Sequence, residues 1–357
     1  MTAGQSLEGG AAGVALLHLE TGNWPAAAEA LRHATIDGVT IAEGAGLFYG
    51  APALAFVLTG TDHPALARAR AVAADGTATV TRRRLDAAHR RIDRRAQPHY
   101  AEYDLISGLT GLGVVLRRLG HHDPLRDVLT YLVRLTEPVN GLPGWWCWNG
   151  PDRNAPIPAG GHANFGIAHG ITGPLALLAL TLRDGITVNN HAQALQHLCH
   201  WLDTWQQHAD GRTWWPQTLT LTELHRSTTA QQAPLRPSWC YGTPGIARAQ
   251  QLAAQALHDQ PRQRRAETAF ISCITDPTQT RQIIDRSLCH GSAGLLTTAR
   301  RIHADALTTI PVAALERLHS SNPCPGEPVG FLDGRAGADL AATGTTNTAW
   351  DACLLLA

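Results

Sequence analysis

Trp239-Cys240-Tyr241-Gly242-Thr243-Pro244-Gly245 sets a cysteine just ahead of a glycine-punctuated turn that opens an apolar, helix-like run. The arrangement returns as Leu288-Cys289-His290-Gly291-Ser292-Ala293-Gly294, with Cys289 49 residues after Cys240. Outward from these two, the pair G-x-x-G followed by an apolar run recurs along the chain. It is found at Gly10–Gly13, Gly108–Gly111, Gly170–Gly173 and Gly334–Gly337, and in degenerate form as Gly50-Ala51-Pro52-Ala53. Seven occurrences lie between 40 and 72 residues apart. One supersecondary unit repeated at such a period signals a solenoid or a closed ring.

Each interval has room for a second helix. Asp123-Pro124 reads as a helix opening, a capping side chain followed by proline at the first helical position. Leu125, Val128, Leu129 and Leu132 then follow at i, i+3, i+4 and i+7, one apolar face. Leu195, Leu198, Cys199 and Leu202 repeat the pattern in the next interval. The run after each G-x-x-G is apolar on more of its circumference, as in Leu175-Ala176-Leu177-Leu178-Ala179-Leu180, which marks a buried helix. The expectation is an all-α chain: seven inner helices, each paired with a more exposed outer one. Closure of the seven pairs makes an α/α toroid whose glycine-rich inner-helix N-termini surround one mouth. Residues 1–357 are expected to form one such domain.

The 357 residues carry 29 basic and 29 acidic side chains, a balance that gives no footing for general nucleic-acid binding. All the basic residues are arginine. Arg82-Arg83-Arg84 with Arg90, Arg91, Arg94 and Arg95 is read as a solvated helix face, with a grip on an acidic peptide as the alternative. No secretory signal and no membrane-spanning run of about 20 apolar residues is present. Seven cysteines, without the spacing of a disulfide scaffold, fit a reducing cytoplasm. Cys147, Cys199, Cys273, Cys324 and Cys353 are read as core or incidental thiols. Two long irregular segments, 137–168 and 209–238, hold clustered tryptophans that either pack on the rim or grip a peptide.

Cys240, Cys289 and His290 precede G-x-x-G at matching offsets, so a ring would bring them together. Two thiols and an imidazole are three of the four donors of a tetrahedral zinc, and a catalytic zinc keeps its fourth position open. The spacing is not that of a zinc finger; equivalence within the repeat is what carries the reading. A buried small hydrophobe is the alternative for either cysteine alone.

With those residues stand Asn164-Phe165-Gly166-Ile167-Ala168-His169-Gly170-Ile171-Thr172-Gly173-Pro174 and Tyr103-Asp104-Leu105-Ile106-Ser107-Gly108-Leu109-Thr110-Gly111. Together the four motifs resemble those of the lanthionine synthetase C-like (LanC) cyclases, in order from about residue 6 to the C-terminus. The resemblance implies a ring of seven inner and seven outer helices. It also implies a zinc-dependent cyclase that adds cysteine thiols to dehydroalanine or dehydrobutyrine in a dehydrated precursor peptide, forming thioether rings. It assigns Cys240, Cys289 and His290 to zinc, proton delivery to His169, and orientation of that imidazole to Asp104. Arg236 lies four residues before Cys240, where the family has an arginine, and it and the Tyr241 hydroxyl are expected to stabilise the enolate oxygen. The plainer alternatives are a helix cap for Asp104, a turn residue for His169, and support of the zinc ligands for Arg236 and Tyr241.

No dehydratase domain is visible, so the resemblance further implies a separate dehydratase partner. A membrane transporter in the same complex would hold a cytoplasmic protein at the membrane surface. Two departures stand out. The first G-x-x-G begins at Gly10, so the seventh outer helix is expected to be short or missing, and the second repeat has Ala53 in place of glycine. Competing readings are a prenyltransferase-like zinc enzyme, disfavoured by the Cys289-His290 pair, and a peptide-binding ring whose zinc is only structural.

Overall fold

A computed structural model describes residues 3–150, 156–321 and 326–357; Cys324 lies outside them. Thirteen helices of eight or more residues are found among the described residues. They are α1 (Ala11–Glu20), α2 (Trp24–Thr35), α3 (Ala51–Leu58), α4 (Ala67–Asp93), α5 (Leu109–Leu119), α6 (His122–Leu135) and α7 (Thr172–Arg183). Then come α8 (His191–Thr204), α9 (Thr243–Ala256), α10 (Gln260–Thr275), α11 (Ser292–Ala304), α12 (Val312–Ser320) and α13 (Arg335–Thr343). The odd-numbered helices, each opened by a G-x-x-G, form the inner layer, and the even-numbered helices pack outside them. Every residue of α3 and the first ten of α7 are buried, as runs apolar nearly all round require. Each inner helix touches the next, and α13 returns to α1, so the chain is a closed toroid. Six outer helices accompany the seven inner ones among the described residues; α13 is followed by no outer partner.

The outer helices are amphipathic where the spacing places their apolar side chains. Leu125, Val128, Leu129 and Leu132 of α6 are all fully buried. Its start lies two residues earlier than expected: His121 is the capping position and Asp123 sits inside the first turn, where its charge faces the positive end of the helix. The arginines of α4 are not simply solvated. Arg83 donates to the Ile41 and Ala42 carbonyls, Arg84 to the Glu43, Ala101 and Ser107 carbonyls, and Arg91 pairs with Glu102.

The glycines explain how the mouth is built. At the second glycine of the motif, an added Cβ would stand 1.9–2.7 Å from the carbonyl oxygen of the residue six places earlier in six of the seven repeats, for example Gly294 against Leu288. Only glycine lets the first turn of the inner helix lie on that strand of backbone. The segments so held are linked around the ring. Leu7 N–H donates to the Phe48 carbonyl, Leu105 to Ala168, Ala168 to Cys240, Cys240 to Cys289, Leu288 and Cys289 to Leu332, and Phe331 and Leu332 to Glu8. Among the described residues, the junction between the second and third repeats alone lacks such a bond. The second repeat carries Ala53, whose methyl excludes that close approach and leaves its loop on a different path.

Closure is reinforced from both termini of the described chain. The Glu20 carboxylate at the end of α1 accepts from Thr345 Oγ1, Asn347 N, Thr348 N and Thr348 Oγ1 at 2.6–2.8 Å. Past α13 the chain crosses the interior of the ring, contacting inner elements from distant repeats. Arg118 on α5 donates to the Thr348 and Ala349 carbonyls, Arg248 on α9 to Leu356, and Arg301 on α11 pairs with Asp351. Two short antiparallel ribbons, unexpected in an all-α reading, lie in the long loops. His162–Asn164 pairs with Thr218–Thr220, and Gln207–Ala209 pairs with Arg212–Trp214. Trp145, Trp146, Trp214 and Trp215 are buried there, so these aromatics pack the rim; Trp148 is exposed. No helix of the described residues is long and apolar enough to cross a membrane.

Candidate functional site

In the fifth and sixth repeats the residue two places before the first glycine of the motif is Cys240 and Cys289. The bond from Cys240 N to the Cys289 carbonyl, 3.2 Å, brings the two segments side by side. Donor atoms of Cys240, Cys289 and His290 all lie within 4.8 Å of one another, and no fourth histidine, cysteine or carboxylate of the described residues joins them within that distance. Cys240 is buried and the other two are half-buried. The hydrogen bond between the thiols holds Cys240 down to about 6, helped by the Ser238 hydroxyl and the positive charges of His290 and Arg236. The same bond pushes Cys289 up, so the pair shares one proton. Two thiols and an imidazole converging at this separation have the softness and spacing that zinc takes.

Acidic groups surround the imidazole. His290 is raised above its usual value chiefly by its bond to Asp285. Asp285 Oδ2 stands 3.4 Å from Nε2, and Asp333 Oδ1 is 3.9 Å from Nδ1. Burial raises the Asp333 carboxyl, and Glu8 is raised by burial and by Asp333.

Beside this cluster lies a second assembly. The bond from Ala168 N to the Cys240 carbonyl and that from Leu105 N to the Ala168 carbonyl draw the fourth and third repeats alongside. His169 Nδ1 is 2.6 Å from Asp104 Oδ2, and the carboxylate is fully buried while the ring is 21% exposed. Asp104 Oδ1 also accepts from Ser107 N at 2.8 Å, so the carboxylate is fixed by a turn at one oxygen and faces the histidine with the other. It does not cap α5, whose capping position is Gly108. With Nδ1 turned to the carboxylate, Nε2 is the nitrogen left for the mouth. Tyr100 meets the His169 ring edge-on at 5.6 Å, and the Tyr241 ring lies 6.2 Å away. The Tyr241 phenol oxygen accepts from Asn164 Nδ2 at 3.2 Å, and burial raises the phenol. Arg236 lines a pocket of about 310 Å³ with Gln217, Leu235, Ser238, Cys240, Tyr241 and Gln282.

All seven residues singled out from the sequence therefore gather at one mouth. Asn164, Ser238, Asp285 and Asp333 were missed. Asn164 stood within a quoted motif, and Asp333 occupies the repeat position equivalent to His169 and His290; Ser238 shares its offset with Ser287 and Asp104, and Asp285 shares its offset with Arg236 and Asn164, so each left a positional signal. Cys147, Cys199, Cys273 and Cys353 are buried, in keeping with core thiols.

Comparison with known proteins agrees with the architecture. The solved structure of a nisin cyclase superposes with a TM-score of 0.83 at 21% identity, covering 100% of this chain and 93% of that one. The nisin biosynthesis protein NisC of Lactococcus lactis subsp. lactis is 27% identical over 204 residues, 55% of this chain. The matched stretch spans about half of that relative's length, 48%. The family model described as lanthionine synthetase C-like protein matches residues 2–342, nearly the whole sequence. On that match, and on the toroid and its mouth, the chain belongs to the lanthionine synthetase C-like family.

Proposed function

We propose that this protein is a zinc-dependent lanthipeptide cyclase, a single domain over residues 1–357, acting in the cytoplasm on a dehydrated precursor peptide. The observation that carries the reading is the meeting of two assemblies at one mouth: a Cys240–Cys289–His290 donor set and an Asp104–His169 pair. Cys240, Cys289 and His290 would hold the ion. Bound zinc supplies positive charge that keeps a substrate thiol ionised near neutral pH, where a free thiol with pKa near ~8.5 is mostly protonated.

The peptide's thiolate sulfur attacks the β-carbon of dehydroalanine or dehydrobutyrine. A carbon–sulfur bond forms, and the alkene's π pair moves onto the neighbouring carbonyl oxygen as an enolate. Arg236 is suited to face that oxygen with its charge, and the Tyr241 hydroxyl, oriented by Asn164, to donate to it. Asp104 holds the His169 proton on Nδ1, which leaves the lone pair on Nε2. Nε2 can then take up the proton released from the thiol and return it to the enolate's α-carbon, with Asp104 stabilising the imidazolium between the two transfers. The product is an isomer of the substrate. The alkene has to be made beforehand, so a separate dehydratase is the expected partner, and a membrane transporter completes the proposed complex.

The test is thiol alkylation followed by mass spectrometry on a dehydrated precursor. Free thiols should disappear without a change in peptide mass. His169→Ala should retain zinc yet lower turnover about 100-fold or more, and Cys240→Ala should lose both. Zinc-loaded wild-type protein that leaves every thiol alkylatable would point instead to a ring that only binds peptide.

A further inference from the structure

Resting on the zinc reading above, we propose that Asp285 is a positioning residue that grips His290 Nε2–H and so presents Nδ1 as the metal-binding nitrogen. The imidazole stands between two carboxylates, Asp285 at Nε2 (3.4 Å) and Asp333 at Nδ1 (3.9 Å). Only one nitrogen can bind the ion, so one carboxylate must hold the ring by the other. Metal-bound histidines commonly donate their remaining N–H to such a group, which sets tautomer and ring angle.

Three features assign the role to Asp285. It is the nearer of the two. It is also fixed from its own side: Oδ1 accepts from Ser287 N at 2.8 Å, and its carbonyl accepts from Ser292 N at the start of α11 at 3.0 Å. Finally, a Cβ at Gly291 would meet Asp285 Oδ1 at 2.1 Å, so the first glycine of the sixth motif is what admits this carboxylate beside the ligand. The adjoining Ser287 hydroxyl accepts from His290 N at 3.2 Å, so backbone and ring of the ligand are set by one turn. Asp333 differs. Its side chain is 45% exposed and it is a close charged neighbour of Cys289, which identifies the Nδ1 side of the ring as the thiol side.

The test compares Asp285→Ala, Asp285→Asn, Asp333→Ala and Cys240→Ala in the full chain by zinc competition against a chromophoric chelator. Asp285→Ala should raise the zinc dissociation constant about 10–100-fold. Asp285→Asn, whose amide oxygen still accepts from Nε2–H, should recover part of the loss, and Asp333→Ala should stay within about threefold of wild type. Loading with cobalt(II) gives a second readout. In Asp285→Ala the ligand-field bands should shift while the thiolate charge-transfer band persists. Unchanged zinc affinity in Asp285→Ala, or a larger loss in Asp333→Ala, would overturn the assignment. A Cys240→Ala protein that binds zinc as wild type does would instead remove the zinc reading beneath it.

Discussion

At the scale of residues, the chemistry turns on which of two adjacent thiols is ionised. With Cys240 held to about 6 by its bond from Cys289, the metal-free protein should expose one reactive thiolate at neutral pH. Below that value the thiol is protonated and unreactive; above it the thiolate forms, while Cys289 keeps the shared proton. Iodoacetamide labelling of metal-free protein, mapped by peptide mass, should therefore modify Cys240 with a midpoint near 6. A midpoint close to the ordinary thiol value of ~8.5 would show that the pair does not share its proton. The triplet Cys240, Cys289 and His290 was legible in the sequence because matching offsets within a repeat translate into proximity once the ring closes. His169 and Asp104 drew their roles from resemblance, since a histidine in a glycine-rich turn carries no chemistry by itself. Asp285 stands at the repeat position of Arg236 and Asn164, six residues before the first glycine, but its residue type differs from theirs, so the offset alone did not show that its carboxylate meets His290.

At the scale of elements, the inner helices were legible for a steric reason, and the same reason predicts a mutational contrast. At Gly294 a methyl group would fall 1.9 Å from the Leu288 carbonyl oxygen, which belongs to backbone and cannot rotate away. Relief requires moving Leu288-Cys289-His290 themselves. Gly294→Ala should cost about 3 kcal/mol of stability and weaken zinc binding along with it. Gly9, beside the same mouth, has nothing within 4 Å of a built Cβ. Gly9→Ala should stay within about 0.5 kcal/mol of wild type. Urea unfolding of both variants makes the comparison, and equal losses would contradict the packing argument. Ala53 is the natural instance of the same substitution, tolerated where the backbone link to the next repeat is missing. Of the two ribbons, His162–Asn164 gave no such signal, because three residues are too few for alternation to show and its partner lies more than 50 residues away; Gln207–Ala209 pairs with Arg212–Trp214 across Asp210-Gly211, a hairpin dipeptide the sequence did offer.

At the scale of the whole molecule, ring closure was legible from the repeat count, but the means of closing it was not. Glu20 sits on α1 and its partners follow α13, a separation no local pattern reports. Burial alone would raise this carboxyl. The bonds from Thr345, Thr348 and Asn347 together outweigh it and hold the group below its usual 4.5. Removing the carboxylate leaves two buried or half-buried backbone N–H groups without their acceptor, and Glu20→Ala should cost about 2–4 kcal/mol. The strain should travel, since Leu354 beyond the closure accepts from Trp239 Nε1 at 2.9 Å, and Trp239 directly precedes the first thiol. Weaker zinc binding in Glu20→Ala is thus expected even though the substitution is remote from the mouth. The pH dependence follows from the direction of the shift. A carboxyl depressed by folding contributes its full stabilisation above its unfolded pKa, and that contribution disappears as pH falls through the lower folded value. The stability difference between wild type and Glu20→Ala should be constant above about pH 5 and shrink on further acidification. Measuring that difference by urea unfolding at several pH values cancels the acid sensitivity of other carboxylates. A gap that persists undiminished to pH 3 would mean that the ring is held shut without the ionised Glu20, by α13 against α1 alone.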